Sequence, residues 1–377
     1  MRTPTGGHVL VLGPLPPPVH GAAVVTAKMV DWMRLRGATV EVVDASADSH
    51  GIVSVTGRVQ ALRYLLTRLW LHLVCCARLL RRPDVLYVGG AGGRGLYFQL
   101  MPVLVARLLR VPVAFHHHSS AYLTSHSRPM AILCRLTRGR SVQIALSHRM
   151  AEQLTERYAG RRRLPVVPLS NAIFVPEPAD AGRSGRVGSR RLTGAPVRLG
   201  HVSNLSVEKG VPELMDTASA LAEAGLDFEL HVVGEARDDR TRALVEQLRA
   251  RPGVTVHGPL YGTALQNFYG ELDLMLFPSR YVNEAAPLVV LEAASRGVPS
   301  LAYRVGSLGE LVFSEQLFAP VGEFAGAAAD LVRRWDDVGE ELSRLTADGY
   351  RRSREAAEAE RERLWSGFLG PAQQGAL

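Results

Sequence analysis

The sequence predicts the α/β class, as two parallel-sheet domains in tandem, and three observations carry that prediction. Short apolar runs alternate with helical patterns along almost the whole chain, the β-loop-α-β order that lays strands parallel. One stretch, "VPEPADAGRSGRVGSRRLTGAP", breaks the series: it is rich in Pro, Gly, Ser and Arg and has no period, as a linker does. The chain has 377 residues with 47% hydrophobic content, enough apolar material for two cores of ordinary size.

The elements follow in order. "HVLVL", His8 to Leu12, is a short strand, and a Pro- and Gly-rich loop leads to a helical pattern from about Ala22 to Leu35. "ATVEVVDA" is the next strand. "DVLYVGG", "VPVAFHHHS", "SVQIALS" and "LPVVPLSNAI" read as further strands, with helices in "RGLYFQLMPVLVARLLR" and "HRMAEQLTERY". The second series begins at "VRLGHVSNL". Its later strands are "DFELHVVGE", "VTVHGPL", "LDLMLFPS" and "PSLAY", separated by helical patterns, and a charged helical tail runs from roughly Gly322 to Leu364. We therefore place an N-terminal domain at 1–175, a linker at 176–196 and a second domain at 197–354, with a C-terminal helix at about 355–377 packing back on the first. Ligands of open parallel sheets bind outside the carboxyl ends of the strands, so the expected site is a cleft between two facing domains.

Bulk properties narrow the class. Charged residues are 21%, too few for a disordered tail protein. Cys75, Cys76 and Cys134 make an odd count without metal-ligand spacing, which fits a reducing, cytoplasmic setting. The N-terminal apolar run is short and ends in prolines, unlike a secretory leader. No run reaches the roughly 18 apolar residues of a membrane span. A net charge of +8 favours anionic partners, or reflects an Arg-rich solvated surface.

Four segments carry candidate chemistry. In "NEAAPLVVLEAASRGVPSLAY", Pro287 suits the first turn of a helix and Gly297 its end. A strand-to-helix turn offers unpaired N–H groups and the positive end of the helix dipole, a seat for phosphate. Glu284 would stand at the edge of that seat and Glu292 about two turns on, both on a similar side. Flanked by acids, such a seat suits a ligand that brings hydroxyls as well as phosphate; read singly, the acids are a helix-start residue and a solvated one. In "HVSNLSVEKGVPEL", Lys209 lies in a turn before another helix, as a phosphate-binding point charge or an exposed loop lysine. In "GPLPPPVHGAAVV", Gly21 permits close backbone approach before a helix, without a full dinucleotide fingerprint. In "FHHHSSAYL", His116, His117 and His118 alternate faces; three neighbours on one strand cannot ligate one metal, but a strand-end histidine can hydrogen-bond a substrate hydroxyl.

Together these segments resemble the retaining glycosyltransferases of family 4. "DLMLFPS", "NEAAPLVVLEAASRGVPSLAY" with its E-x7-E spacing, and "VGSLGELV" carry the likeness, with "SNLSVEKGV", "VVGE", "VTVHGPL" and "LQNFY" in the family's order. "PPPVHGAA", "FHHHS", "IALSHRM" and "VVPLSNAI" extend it more loosely into the first half. The resemblance implies the GT-B fold, two facing Rossmann-like domains with an interdomain cleft: the first binds the acceptor and the second the nucleotide-sugar donor. It implies that Glu284 contacts donor-sugar hydroxyls, Glu292 the ribose, and Lys209 the pyrophosphate, which Gly21 also approaches. Ala285, Ala286, Pro287, Leu288 and Val289 would line the donor site, with N–H groups around Ala286 to Val289 on the distal phosphate. His118 aligns best with the family's strand-end histidine, with His117 its rival. Catalytic roles thus fall to His118, Glu284 and Lys209. Asn204 stands where the family usually has Arg, which removes one cation from the donor site, and Ser119 replaces a Gly.

The implied reaction moves a sugar from a nucleotide-diphosphate sugar to an acceptor hydroxyl, with retention, no metal and no cofactor. The acceptor would be a glycan, a lipid-linked sugar or a small molecule, in bacterial glycan, glycolipid or natural-product glycoside synthesis. The other readings are an epimerase or phosphorylase on the same fold, or a basic binding module without enzyme activity. Aromatics at 6% argue against nucleic acid as a partner. Finally, on a helical wheel Arg63, Arg68, Arg78, Arg81 and Arg82 of the segment 58–82 fall on one broad side. That pattern fits the anionic inner face of a membrane, or core helices with a basic edge.

Overall fold

The computed structural model describes residues 7–46, 58–160, 164–176, 195–281 and 284–370. The expected linker at 176–196 therefore lies almost wholly outside the described residues. The chain divides into two compact units, 1–174 with 356–377, and 175–355.

The first unit is a six-stranded parallel sheet in the order β2-β1-β3-β4-β5-β6. Its strands are β1 (His8–Gly13), β2 (Thr39–Asp44), β3 (Val85–Gly89), β4 (Val113–His116), β5 (Val142–Ala145) and β6 (Val166–Pro168). The connecting helices are α1 (Gly21–Leu35), α2 (Arg58–Leu79), α3 (Gly95–Leu109), the single turn α4 (Ala121–Thr124), α5 (Arg128–Leu136) and α6 (His148–Tyr158). β1, β3, β4 and β5 are buried along nearly their whole length. Strands covered on both faces read as continuous apolar runs, and these segments do.

The second unit holds five parallel strands in the order β11-β10-β7-β8-β9. These are β7 (Val197–Val202), β8 (Phe228–Val233), β9 (Val254–His257), β10 (Leu274–Phe277) and β11 (Ser300–Ala302). Between and after them come α7 (Val211–Glu223), α8 (Asp239–Arg249), α9 (Gly262–Gly270), α10 (Leu288–Ser295), the short α11 (Leu308–Leu311), α12 (Phe324–Arg333) and α13 (Trp335–Leu364). The strand order reverses between β7 and β10, which pair directly through Leu274 with Leu199 and Met275 with Gly200. The chain leaves these two strands in opposite directions, opening a crevice at their carboxyl ends, the place where doubly wound sheets bind ligands.

The end of α13 and the residues after it belong to the first unit. Trp365 meets Trp32 of α1 edge to face, with ring centroids 5.4 Å apart, and Arg361 stacks 4.7 Å from the same Trp32 ring. Arg36, just past α1, pairs with Glu362. Two aromatic contacts and an ion pair hold this terminal segment against α1. Trp365→Ala should therefore cost roughly 1–3 kcal/mol, read as a lower urea midpoint for the first unit, whereas Glu362→Ala at the exposed pair should cost under about 1 kcal/mol.

Candidate functional site

The second unit assembles its candidate residues across the β7/β10 reversal. Lys209 lies in the turn after β7, and Glu284 in the segment after β10. The Lys209 ammonium forms an ion pair with Glu284, and the Ser279 hydroxyl donates to the same carboxylate oxygen at 3.0 Å. The rings of Tyr281 and Phe277 stand 5.0 and 5.9 Å from the ammonium. Both charged side chains are largely covered, 22% and 11% exposed, so their attraction is screened less than that of a surface pair. Seventy-five positions separate the two residues in sequence, and only the strand order brings them together.

Near Lys209 lies His201 of β7, wholly buried. Its Nδ1 faces the Leu276 carbonyl at 2.9 Å, so Nδ1 carries the proton, and Nε2 accepts from the Ser203 hydroxyl at 2.8 Å. Burial lowers its pKa to about 4, with Lys209 adding to the effect. The imidazole stays neutral near the cation.

One sequence expectation needs correction. Glu284 lies, as expected, in the loop ahead of the helix that carries Glu292. α10 begins at Leu288, and Pro287 caps it in an extended conformation (φ −66°, ψ 122°) rather than occupying the first turn. The acids are set by different elements, Glu284 by the segment after β10 and Glu292 by α10. Pro287 also has no N–H to give a phosphate; the amides that the start of α10 leaves without an intrahelical acceptor are those of Leu288, Val289 and Val290. Ala285 and Ala286 are buried ahead of this turn. Glu292 is half-buried and accepts from the Tyr269 hydroxyl of α9 at 2.9 Å. Asn204 is exposed just past β7.

The "VGSLGELV" loop is built onto this site. Gly306 has φ +54°, and a Cβ there would stand 2.2 Å from the Glu284 carbonyl oxygen. Ser307 N–H donates to the Ala285 carbonyl at 3.0 Å. The backbone on which Glu284 sits is therefore clamped from one side by a residue that must be glycine.

In the first unit, the three histidines at the end of β4 divide by environment. His117 is buried with both nitrogens satisfied, 2.6 Å from the Tyr122 hydroxyl and 3.0 Å from Gln143 Oε1. It is a core residue. His116 is also buried, with Nδ1 2.6 Å from the Tyr87 hydroxyl. His118 is only half-buried as a residue, yet its Nε2 is buried without a hydrogen-bond partner. Burial lowers His117 and His118 to about 3, and for His118 the neighbours His117 and His20 contribute. His20 caps α1, its Nδ1 accepting from Ala23 N–H at 3.3 Å, and exposed Gly21 opens that helix. His118 and the Gly21 turn are therefore neighbours within one unit.

Sequence reasoning missed Ser279, Tyr269, His20 and His201. Ser279 lies within the quoted "DLMLFPS" and two residues past a strand end, a position that favours ligands. Nothing in the pattern marks Tyr269 as the partner of Glu292, since the contact depends on how α9 lies against α10.

Two outcomes follow from this geometry. Gly306→Ala should displace the Glu284 backbone and destabilise the second unit by roughly 1–3 kcal/mol, whereas Gly326→Ala, where nothing crowds a Cβ, should not; chemical denaturation of both variants checks this. The buried histidines set an acid limit. They bind protons near pH 6.5 when unfolded but only near 3 to 4 when folded, so stability is full above about 6.5 and falls as the pH drops below it. Melting temperature should decline from pH 7 to pH 5, and less steeply in His117→Gln.

Residues 191–357 match the family model described as Glycosyl transferases group 1. The chain is 29% identical over 307 residues to 2-deoxystreptamine glucosyltransferase of Streptomyces kanamyceticus, covering 75% of this chain and 77% of that protein. It is 25% identical over 239 residues to alpha-D-kanosaminyltransferase of the same organism, covering 59% of each, so the match spans little more than half of that relative. Anabaena HepE, crystallised with UDP-glucose, superposes with a TM-score of 0.65 at 16% identity, covering 96% of this chain and all of that one. The chain thus has the GT-B fold, two parallel-sheet α/β domains, and its residues 191–357 carry the sequence pattern of the group 1 glycosyl transferases.

Proposed function

We propose that this chain is a retaining glycosyltransferase of the family 4 type, moving a sugar from a nucleotide-diphosphate sugar to an acceptor hydroxyl. The observation that carries the reading is the Lys209–Glu284 pair at the β7/β10 reversal, beside the open first turn of α10. The pair presents a cation and a hydroxyl-accepting carboxylate side by side, complements to the diphosphate and the hydroxyls of a sugar-diphosphate. Arriving donor would take over Lys209 through its pyrophosphate and offer sugar hydroxyls to Glu284. Glu292, already oriented by Tyr269, would accept from the ribose.

Cleaving the sugar–phosphate bond leaves negative charge on the nucleoside diphosphate and positive charge on the ring. Lys209 and the α10 amides would stabilise the first from fixed positions, where preorganised charge is most effective. Neither Glu284 nor Glu292 then needs to be a nucleophile. We assign a front-face route in which the departing phosphate takes the acceptor's proton, without a metal ion or cofactor. His118, neutral at working pH, would offer its Nε2 to a substrate hydroxyl. HepE binds UDP-glucose, which favours a UDP-sugar as donor, and the 2-deoxystreptamine glucosyltransferase favours a small-molecule acceptor. A basic binding module without catalysis would have no use for such a pair.

Thermal-shift measurement with UDP-, GDP-, ADP- and dTDP-sugars should show stabilisation by one of them. Lys209→Ala should then lower kcat by about 10²–10³, and Glu292→Ala should chiefly raise the donor KM. Proton NMR of the product should show the donor's anomeric configuration; an inverted product rules out the front-face route, and no thermal shift with any donor rules out the assignment as a whole.

A further inference from the structure

We propose that the outer face of α2 and α3 is a docking surface for an anionic phospholipid membrane. The helix α2 presents an apolar stripe to the outside. Leu62, Leu66, Leu69 and Leu73, spaced three and four apart, all point to solvent, with Trp70 beside them at 66% exposure. Arg68, His72 and Arg78 of the same helix point the other way. Arg68 donates to the Ala45 carbonyl at 2.7 Å and Arg78 to the Val42 carbonyl at 2.8 Å, both at the end of β2 or just beyond it. His72 is buried, its Nδ1 2.7 Å from the Arg68 carbonyl. This corrects the helical-wheel expectation in part: Arg68 and Arg78 serve the fold, Arg63, Arg81 and Arg82 stay exposed, and the outward side carries leucines as well as arginine.

α3 packs alongside α2, with the Phe98 ring 5.6 Å from His72. It adds Tyr97, Leu104 and Leu108, at 60%, 45% and 73% exposure. Isolated apolar side chains on a surface are ordinary, but a face shared by two neighbouring helices is an interaction surface.

Charge selects the occupant. Leaving aside the inward Arg68 and Arg78, the sequence between 58 and 110 has seven arginines and a single acid, Asp84. Asp84 is engaged, accepting from the His8 N–H at 2.7 Å. At the end of α3, Arg107 and Arg110 line a cleft of about 400 Å³ together with Arg140, next to the Leu104–Leu108 edge. A second copy of this chain would bring the same arginines against themselves. A lipid surface instead offers acyl chains to the leucines and Trp70 and phosphate groups to the arginines. Among the described residues no helix is long and apolar enough to cross a membrane, so the contact is one of lying on the surface. It is independent of the reaction assigned to the second unit.

Co-sedimentation with phosphatidylcholine vesicles, with and without phosphatidylglycerol, tests the proposal. The full chain should bind the anionic vesicles and only weakly the neutral ones. Leu66→Glu with Leu69→Glu should reduce binding at least about tenfold, with no change in melting temperature because both side chains are exposed. Arg107→Glu with Arg110→Glu should remove the preference for anionic lipid. Brominated lipid should quench tryptophan fluorescence in the native chain and not in Trp70→Phe, a readout that needs no destabilising change. Absence of binding, equal binding to both vesicles, or quenching that persists in Trp70→Phe overturns the proposal. So does a solution dimer that Leu66→Glu with Leu69→Glu dissociates, which would assign the face to a second copy.

Discussion

The ion pair between Lys209 and Glu284 is the constraint around which the second unit is arranged. Its two members come from opposite sides of a strand-order reversal, and each is held from beneath: Lys209 by aromatic faces, Glu284 by a serine hydroxyl and a clamped backbone. In a partly covered site, leaving either charge alone would be costly, because the survivor would lose its partner without regaining water. The pair therefore keeps the unliganded site composed. It also makes the site close to neutral, so a free phosphate gains little there. Only a ligand that replaces both halves of the contact at once recovers what it displaces.

The neutral imidazole of His201 completes this arrangement. A protonated histidine near Lys209 would compete for whatever anion Lys209 holds. The Leu276 carbonyl fixes one tautomer, the Ser203 hydroxyl satisfies the other nitrogen, and burial removes the charged form. The positive charge at the site is then a property of Lys209 and the α10 amides.

Much of the fold was legible in the sequence because parallel strands buried on both faces appear as uninterrupted apolar runs, as in "DVLYVGG" and "LDLMLFPS". Lys209, Glu284 and Glu292 were legible as individual positions, through turns that precede helices. Their partners were not. A contact across 75 residues, such as Lys209 with Glu284, depends on strand order, which local patterns do not encode. Pro287 was ambiguous for a physical reason: the ring fits both the first turn and the cap before it, and only the backbone angle ψ separates the two. The orientation of α2 was illegible because periodicity identifies an apolar stripe without saying what it faces. The carbonyls of Val42 and Ala45 decided it by drawing Arg78 and Arg68 inward.

The approach of Gly306 to the Glu284 carbonyl ties two stretches of chain into a single inheritable module. Lengthening the "VGSLGELV" loop, or exchanging it alone for that of a relative, would shift the acid even though the loop contributes neither Lys209 nor Glu284. Chimeras that alter sugar preference should carry both segments together, with the crossover points placed before Ser279 and after Leu311. Within those limits the acid travels with the backbone that aims it.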